Sequence, residues 1–176
     1  DDMTRRLSVE ERRAEILDAA STTFASLPYS DVSAQLIAQR CGVSEALIFH
    51  YFGSKPGLYT AFVQDTAFDF APFTEPAEAV RAYLDHIAAR PFVWAAGRRN
   101  GEEPLEAIHL RIEHRDAAVR AVCDMLGRSD ERARITVSGT LGFIDAIALD
   151  WVDEGCPASR RQALIDATLT ARNATL

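Results

Sequence analysis

The sequence is poor in several residue types, and each scarcity restricts what the chain can be. Its three cysteines, Cys41, Cys123 and Cys156, are odd in number, far apart and without any Cys-x-x-Cys pair. Neither a disulfide framework nor a zinc site is therefore indicated. Glycine and proline are sparse, at 9 and 7 of 176 residues, and β-branched residues do not alternate as they do in strands. We expect an all-α protein that needs no cofactor.

Long apolar runs are also lacking. No run approaches the roughly 18 residues that a membrane span requires, and no apolar stretch follows the first residues as it does in a signal peptide. We therefore expect a cytoplasmic protein with no membrane contact. Basic residues do not outnumber acidic ones: the net charge is −7, so overall charge does not favour nucleic acid as a partner.

Residues 33–55 carry the most specific pattern in the chain. Ser33 and Ser44 are both good N-caps, because a serine hydroxyl accepts a hydrogen bond from a free amide of the first helical turn. Gly42 lies where the first helix must end and the chain must turn, a usual place for a left-handed residue. Two short helices joined by such a turn predict a helix-turn-helix, which lays its second helix in the DNA major groove.

The second of these helices divides into two faces. Val43, Ile48 and Phe52 fall roughly on one face and are expected to hold the helix to the core. The residues that then point outward are Glu45, Ala46, Leu47 and His50.

Lys55 is the only lysine in a chain with 18 arginines. It follows Ser54, another good N-cap, and so begins the next helix, which is predicted to continue to about Phe70. Its ammonium group and the free amides of that helix start can address one phosphate.

The run from Val32 to Tyr59 resembles the DNA-binding domain of the TetR family of transcriptional regulators. The resemblance rests on the pair Ile37-Ala38, the turn Cys41-Gly42-Val43-Ser44, and the block Phe49-His50-Tyr51-Phe52-Gly53-Ser54-Lys55. Upstream, residues 13–20 and Phe24 resemble that family's first helix. Together these motifs cover about a third of the chain.

The resemblance implies a role for each matched residue. Gln35, Glu45, Ala46 and His50 stand at base-facing positions, and Ser33, Ser44, Tyr51 and Lys55 at positions that meet phosphate. The chain departs from the family at Leu47, which stands where Ser or Thr is common, and at Phe49, which stands where Tyr is common. Leu47 is thereby expected to touch a thymine methyl group.

The resemblance also implies an architecture and a function. Residues 1–54 are expected to form a three-helix DNA-binding domain, and residues 55–176 a helical ligand-binding and dimerisation domain with its first helix as the connector. The function implied is a repressor that binds a palindromic operator as a homodimer and is released by an unidentified small-molecule effector. Double-stranded DNA and a second copy of the chain are then the partners.

The resemblance, together with the apolar pattern from Phe62 onward, indicates candidate residues for dimerisation and ligand binding. The last two helices, predicted at roughly 130–154 and 159–173, form the family's four-helix dimer interface; the candidates are Gly139, Gly142, Ala146, Trp151, Leu164, Ile165, Thr168 and Leu169. The candidates for a ligand pocket are Phe62, Trp94, His109, Ile112, Phe143 and Ile147. An aromatic stripe at helical spacing is also what an ordinary core looks like.

Two other interpretations stay open. A helix-turn-helix protein regulated by a protein partner, with no small-molecule pocket, has the same sequence features. A di-iron enzyme is a remote alternative, because Glu106 and His109 have the Glu-x-x-His spacing of such helical bundles. That enzyme class needs a second copy of the motif, which the chain lacks.

Overall fold

The computed structural model describes residues 8–99 and 101–175, and these ranges contain nine α-helices and no strand. The all-α prediction is confirmed. The helices are α1 (Val9–Ser26), α2 (Ala34–Cys41), α3 (Glu45–Phe52), α4 (Lys55–Asp65), α5 (Pro76–Ala89), α6 (Pro91–Arg99), α7 (Leu105–Met125), α8 (Glu131–Asp153) and α9 (Ala158–Thr175).

Contacts between residues divide the chain into two compact units. The first contains Asp1–Thr66 and Ala96–Leu110, and the second contains Ala67–Ala95 and Arg111–Leu176. The division places all of α4 in the first unit, whereas the sequence analysis assigns this helix to the second domain. The domain boundary between residues 54 and 55 therefore stays a prediction.

The first unit has a core in which α1 packs against α2 and α4. Ser8 begins α1 with a capping box: its hydroxyl accepts from the Glu11 amide while the Glu11 carboxylate accepts from the Ser8 amide. Ile16 on α1, Ile37 on α2 and Leu58 on α4 are fully buried. The burial of these side chains provides the main favourable term for the association of the helices.

Two helix limits differ from those the sequence predicts. Helix α4 ends at Asp65 instead of continuing to about Phe70, and the Thr66 hydroxyl donates to the Val63 carbonyl at the helix end. The run Arg98-Arg99-Asn100-Gly101 predicts a loop, whereas the structure places Arg98 and Arg99 in α6. Helix α5 ends at Ala89, and Pro91 stands at the first position of α6, where its missing N–H costs nothing.

The second unit has its core around α8, which packs against α9 and α5. Trp151, Ile144, Ile165 and Leu84 are buried there. By length and composition α8 is the one described helix that qualifies as a membrane span, with a mean hydropathy of 1.4. About a third of this apolar stretch is buried, and its buried residues contribute to this core.

A buried polar group ties three helices of the second unit together. The Tyr83 hydroxyl on α5 donates to Asp145 Oδ1 on α8 at 2.6 Å, and it accepts from Trp94 Nε1 on α6 at 3.2 Å. Tyr83 and Trp94 are 4% and 2% exposed, so neither group can take water as a replacement partner.

We expect Tyr83→Phe to lower the free energy of unfolding by about 1–3 kcal/mol, because it leaves the Trp94 N–H and the Asp145 carboxylate without this partner. Urea unfolding followed by circular dichroism measures the change. Thr140→Val is the matched control, since the Thr140 hydroxyl donates only within its own helix, to the Thr136 carbonyl. Equal effects of the two substitutions would contradict this role for the Tyr83 hydroxyl.

Candidate nucleic-acid interface

The turn between α2 and α3 has the geometry that the sequence predicts. The Ser33 hydroxyl accepts from the Leu36 amide at 3.0 Å, and the Ser44 hydroxyl accepts from the Leu47 amide at 3.2 Å. Gly42 ends α2 with φ at 67°, in the left-handed region. A side chain at this position would strain the backbone, so the turn depends on glycine.

Helix α3 is held to the rest of the first unit by one face. Ile48 is fully buried, and α3 packs against α2 and α4. On the other face Glu45, Ala46 and His50 are exposed, while Leu47 is half-buried. The outward face predicted for this helix is therefore the one available to a partner, except that Leu47 offers only part of its side chain.

The structure also places the remaining residues of the predicted DNA contact. Ser33, Gln35 and Ser44 are exposed, and Tyr51 and Lys55 are half-buried. The rings of His50 and Tyr51 meet edge to face, with 5.4 Å between their centroids. These residues lie on α2, on α3, or at the starts of α2, α3 and α4, so the same short segment carries all nine.

The start of α4 approaches the end of α3 closely. The Ser54 hydroxyl accepts from the Gly57 amide at 3.1 Å, which caps the helix. A Cβ atom on Gly57 would overlap the carbonyl oxygen of Phe52, so this position requires glycine because of backbone proximity. The cap and the close approach together fix the direction in which α4 leaves the helix-turn-helix.

Lys55 lies against the ring of Tyr29. Its Nζ atom is 4.1 Å from the ring centroid, a cation–π contact. Partial burial lowers the pKa of the Lys55 ammonium, and the nearby Asp31 carboxylate opposes that shift. The ring thus holds the ammonium group at the N-terminus of α4, where free backbone amides also favour an anion.

Tyr29 in turn belongs to an aromatic cluster of Phe24, Tyr29, Tyr59 and Phe62. The rings of Tyr29 and Tyr59 meet edge to face at 5.0 Å, and those of Phe24 and Tyr59 at 4.8 Å. The Tyr59 hydroxyl donates to Oε2 of Glu103, which lies in the segment before α7, at 3.1 Å. Burial, with a smaller contribution from Glu106, raises the pKa of the Tyr29 phenol.

Sequence reasoning missed Tyr29 as part of this interface. The Pro28-Tyr29-Ser30 break predicts only the end of α1. The spacing of Tyr29 and Lys55 along the chain does not show that the two residues meet, so the sequence offers no signal for this contact.

Arginines support the interface from α1 and α2. The Arg13 guanidinium lies over the Phe52 ring at 4.9 Å, and Arg40 Nη1 donates to Thr23 Oγ1 at 3.0 Å. These contacts hold α1 to the helix-turn-helix. Arg5 and Arg6, expected to form a flanking arm together with Arg12 and Arg13, lie outside the described residues.

The predicted ligand residues are scattered over both units. Phe62 is fully buried in the aromatic cluster of the first unit, and Trp94 is buried beside Tyr83 in the second. The more open positions are His109, Ile112 and Phe143, which are exposed, and Ile147, which is half-buried. A cavity in the second unit, between α5, α7, α8 and α9, is lined by none of the six.

The predicted dimer residues fall into two groups. Trp151, Leu164, Ile165 and Thr168 are buried within the second unit, and Leu169 is half-buried at the cavity. The exposed members are Gly139, Gly142 and Ala146 on α8. The apolar stripe of the last two helices is thus used largely for packing inside the chain.

Within the described ranges, no three histidine, cysteine or acidic side chains lie together in a way that could hold a metal ion. His109 is exposed on α7, as is Glu106. The Glu-x-x-His spacing therefore occurs on an open helix surface.

Comparison with known proteins gives consistent results. A family profile described as "Bacterial regulatory proteins, tetR family" matches residues 16–62. The sequence is 27% identical to the HTH-type transcriptional activator FasR of Mycolicibacterium smegmatis, over 90% of this chain and 80% of that protein. It is 29% identical to the HTH-type transcriptional regulator BetI of Burkholderia mallei, over 88% of this chain and 89% of that protein.

Solved structures show the same fold. NalD, described as the secondary repressor of the MexAB-OprM multidrug efflux pump in Pseudomonas aeruginosa, superimposes with a TM-score of 0.75. The alignment covers 93% of this chain and 97% of NalD, at 18% sequence identity. At that identity the likeness shows the fold alone.

We expect Tyr29→Leu to lower the free energy of unfolding by about 1 kcal/mol relative to Tyr29→Phe, because leucine removes the ring beneath the Lys55 ammonium whereas phenylalanine keeps it. Urea unfolding of both variants measures the difference. Repeating the comparison in a Lys55→Met background isolates the cation–π contact, and the difference should then shrink. A difference that is the same in both backgrounds would contradict the contact.

Proposed function

Since the chain belongs to the TetR family of bacterial transcriptional regulators, we propose that it is a repressor that binds a palindromic operator as a homodimer and is released by a small-molecule effector. The chain is a DNA-binding regulator and not an enzyme. The observation that carries the proposal is the exposed face of α3, flanked by the capped starts of α3 and α4.

The geometry supports two kinds of DNA contact by the exposed residues, one to phosphates and one to base edges. The N-termini of α3 and α4, with Lys55, suit phosphate oxygens, and phosphate contacts fix the register of a protein on the duplex. Gln35, Glu45 and Ala46 suit base edges: Gln pairs with adenine, Glu accepts from the cytosine amino group, and Ala touches the thymine methyl. The operator half-site is therefore proposed to be recognised by a few hydrogen bonds and an apolar contact.

Dimerisation is proposed through the exposed face of α8. Ile135 and Phe143 are 67% and 38% exposed there, and Gly139, Gly142 and Ala146 lie between and beside them. Small residues permit close approach of a second helix, and the two large apolar side chains gain from burial. A two-fold dimer is the arrangement that matches a palindromic DNA site.

Release by an effector requires that the small molecule bind better to the form that does not bind DNA. Moving an equilibrium between two forms from about 1:99 to 99:1 takes a difference of about 5.5 kcal/mol. The second unit contains an apolar cavity of about 50 Å³, smaller than a typical ligand pocket, so an effector bound there would have to enlarge it. That cavity supports the proposed effector site.

The proposal is tested by selecting binding sites from genomic fragments with the purified protein. We expect palindromic sites whose half-sites are centred about 34–36 Å apart, close to one turn of DNA. In a reporter strain, the gene beside the selected site should be expressed more strongly when the regulator is deleted. Selection of sites without symmetry would contradict dimeric operator binding, and weaker expression after deletion would contradict repression.

We expect Lys55→Gln to weaken binding to the selected site and to reduce the slope of log K against log salt by about 1, because one phosphate contact is lost. Fluorescence anisotropy at several salt concentrations measures the slope. Arg120→Gln, an exposed change on α7, is the control with the same loss of charge. A slope that both variants reduce equally would assign the effect to overall charge and contradict a specific contact by Lys55.

We expect Ala146→Arg to convert the dimer to monomers at micromolar concentrations, because it places a long charged side chain on the apolar α8 face. Sedimentation equilibrium measures the association. Ala117→Arg, on an exposed position of α7, should dimerise like the unaltered protein. Dimers that persist in Ala146→Arg would show that another surface forms the interface.

A further inference from the structure

Phe49 on α3 is an exposed apolar residue that has no role in the DNA contacts proposed so far. Its side chain is 39% exposed, whereas the other large apolar side chains of residues 33–55, a stretch that the structure describes throughout, are buried or half-buried. A single exposed apolar residue is ordinary on a protein surface. What distinguishes Phe49 is its place on the helix proposed to enter the major groove.

Phe49 belongs to the face of α3 that is turned away from the core. Ala46 precedes it by three positions, and residues three apart on a helix are neighbours, so the two side chains form one apolar patch. Ala46 is exposed, as are Glu45 and His50, whereas Ile48 is fully buried. The patch therefore lies on the surface that α3 offers to a partner.

The aromatic rings that follow Phe49 along α3 have partners within the protein. The ring of Tyr51 meets that of His50 edge to face, and the Arg13 guanidinium lies over the Phe52 ring. Among the residues that the structure describes, neither a second ring nor a cation pairs with the Phe49 ring. The exposed part of this ring is thus available to a group from outside the chain.

A phenylalanine ring restricts the kind of group that it can usefully cover. It has no polar atom, so a phosphate oxygen or a polar base edge beneath it would lose water without gaining a hydrogen bond, which costs free energy. The major groove presents one apolar group, the 5-methyl group of thymine. A base pair that places this methyl group against the ring is therefore favoured over the other pairs.

Leu47, for which the sequence predicts this methyl contact, is less suited to it. Its side chain is half-buried, whereas that of Phe49 is exposed. The Leu47 amide donates to the Ser44 hydroxyl, so the residue also belongs to the capped first turn of α3. The larger and more exposed Phe49 side chain gains more from an apolar contact.

We propose that Phe49 is a specificity-determining residue whose ring contacts the 5-methyl group of one thymine in each operator half-site. The inference rests on the proposed function, in which α3 enters the major groove. Ala46 extends the same apolar surface. Because 5-methylcytosine presents the same group, the tests use duplexes made with unmodified cytosine, in which thymine is its only source.

The methyl contact is tested on the selected site by replacing its thymines with deoxyuridine, which lacks only the methyl group. Each symmetry-related pair of thymines is replaced in turn, and anisotropy measures the affinity of the full chain. We expect one pair whose replacement weakens binding by about tenfold, since one buried methyl group is lost in each half-site. A site that binds equally well after every replacement, or that contains no thymine, would overturn the proposal.

Variants test whether Phe49 makes this contact. In Phe49→Ala, the thymine and deoxyuridine duplexes should bind equally, and titration at low salt keeps weak binding measurable. Phe92→Ala, the same change at a residue of α6 that is 65% exposed, should retain the tenfold preference. Thermal unfolding checks that each variant is folded; Phe49→Gln, which introduces a better helix former, is used if the alanine variant is not. A preference that persists in a folded Phe49 variant would overturn the proposal.

The outcomes separate this inference from the proposed function. Binding to a palindromic site that does not depend on any thymine methyl group would contradict the role of Phe49 and leave dimeric operator binding standing. Absence of any preferred site, with the purified chain folded, would contradict the proposed function and the role of Phe49 together.

Discussion

The DNA-binding surface depends on the aromatic cluster of Phe24, Tyr29, Tyr59 and Phe62. Phe24 lies on α1, and Tyr59 and Phe62 lie on α4, so the cluster holds these two helices together where the helix-turn-helix packs against both. Its rings meet at centroid distances of 4.8–6.2 Å, in the range where aromatic pairs attract. If the cluster loosened, the start of α4 would lose its position relative to α3.

The same cluster explains how an acidic chain presents a surface for a polyanion. The net charge is −7, and Lys55 is its only lysine. The groups that suit phosphate include two capped helix starts and one ammonium held over an aromatic ring. Fixed groups lose little entropy when they bind, whereas a mobile lysine must first be ordered. For attraction to phosphate, the positions of these groups thus matter more than the total charge of the chain.

Most of the first unit is predictable because its rules are local. Serine N-caps, a left-handed glycine and helical spacing operate within a few residues, and they predict the limits of α2 and α3 and the outward face of α3. Tyr29 was missed because its role depends on a contact with Lys55, 26 positions along the chain, that folding creates. The assignment of α4 as far as Phe70 failed because the end of that helix is decided by packing, which draws Phe68 and Phe70 against Tyr83.

The second unit is less predictable because its sites depend on which helix faces meet. Apolar spacing on α8 and α9 predicts helices with an apolar stripe, yet it does not distinguish a stripe buried within the chain from one that pairs with a second copy. Trp151 and Ile165 turn out to belong to the chain's own core, whereas Gly139 and Ala146 stay exposed. A cavity arises where packing between four helices is incomplete, and residue spacing within any one helix does not reveal this.

In the proposed complex, two copies of α3 enter successive major grooves while the helix starts hold the intervening phosphates. Hydroxyl-radical footprinting on a selected site measures this arrangement directly. We expect two protected patches on each strand, related by two-fold symmetry and centred about one turn of DNA apart. A single patch without symmetry, or uniform protection along the fragment, would contradict it.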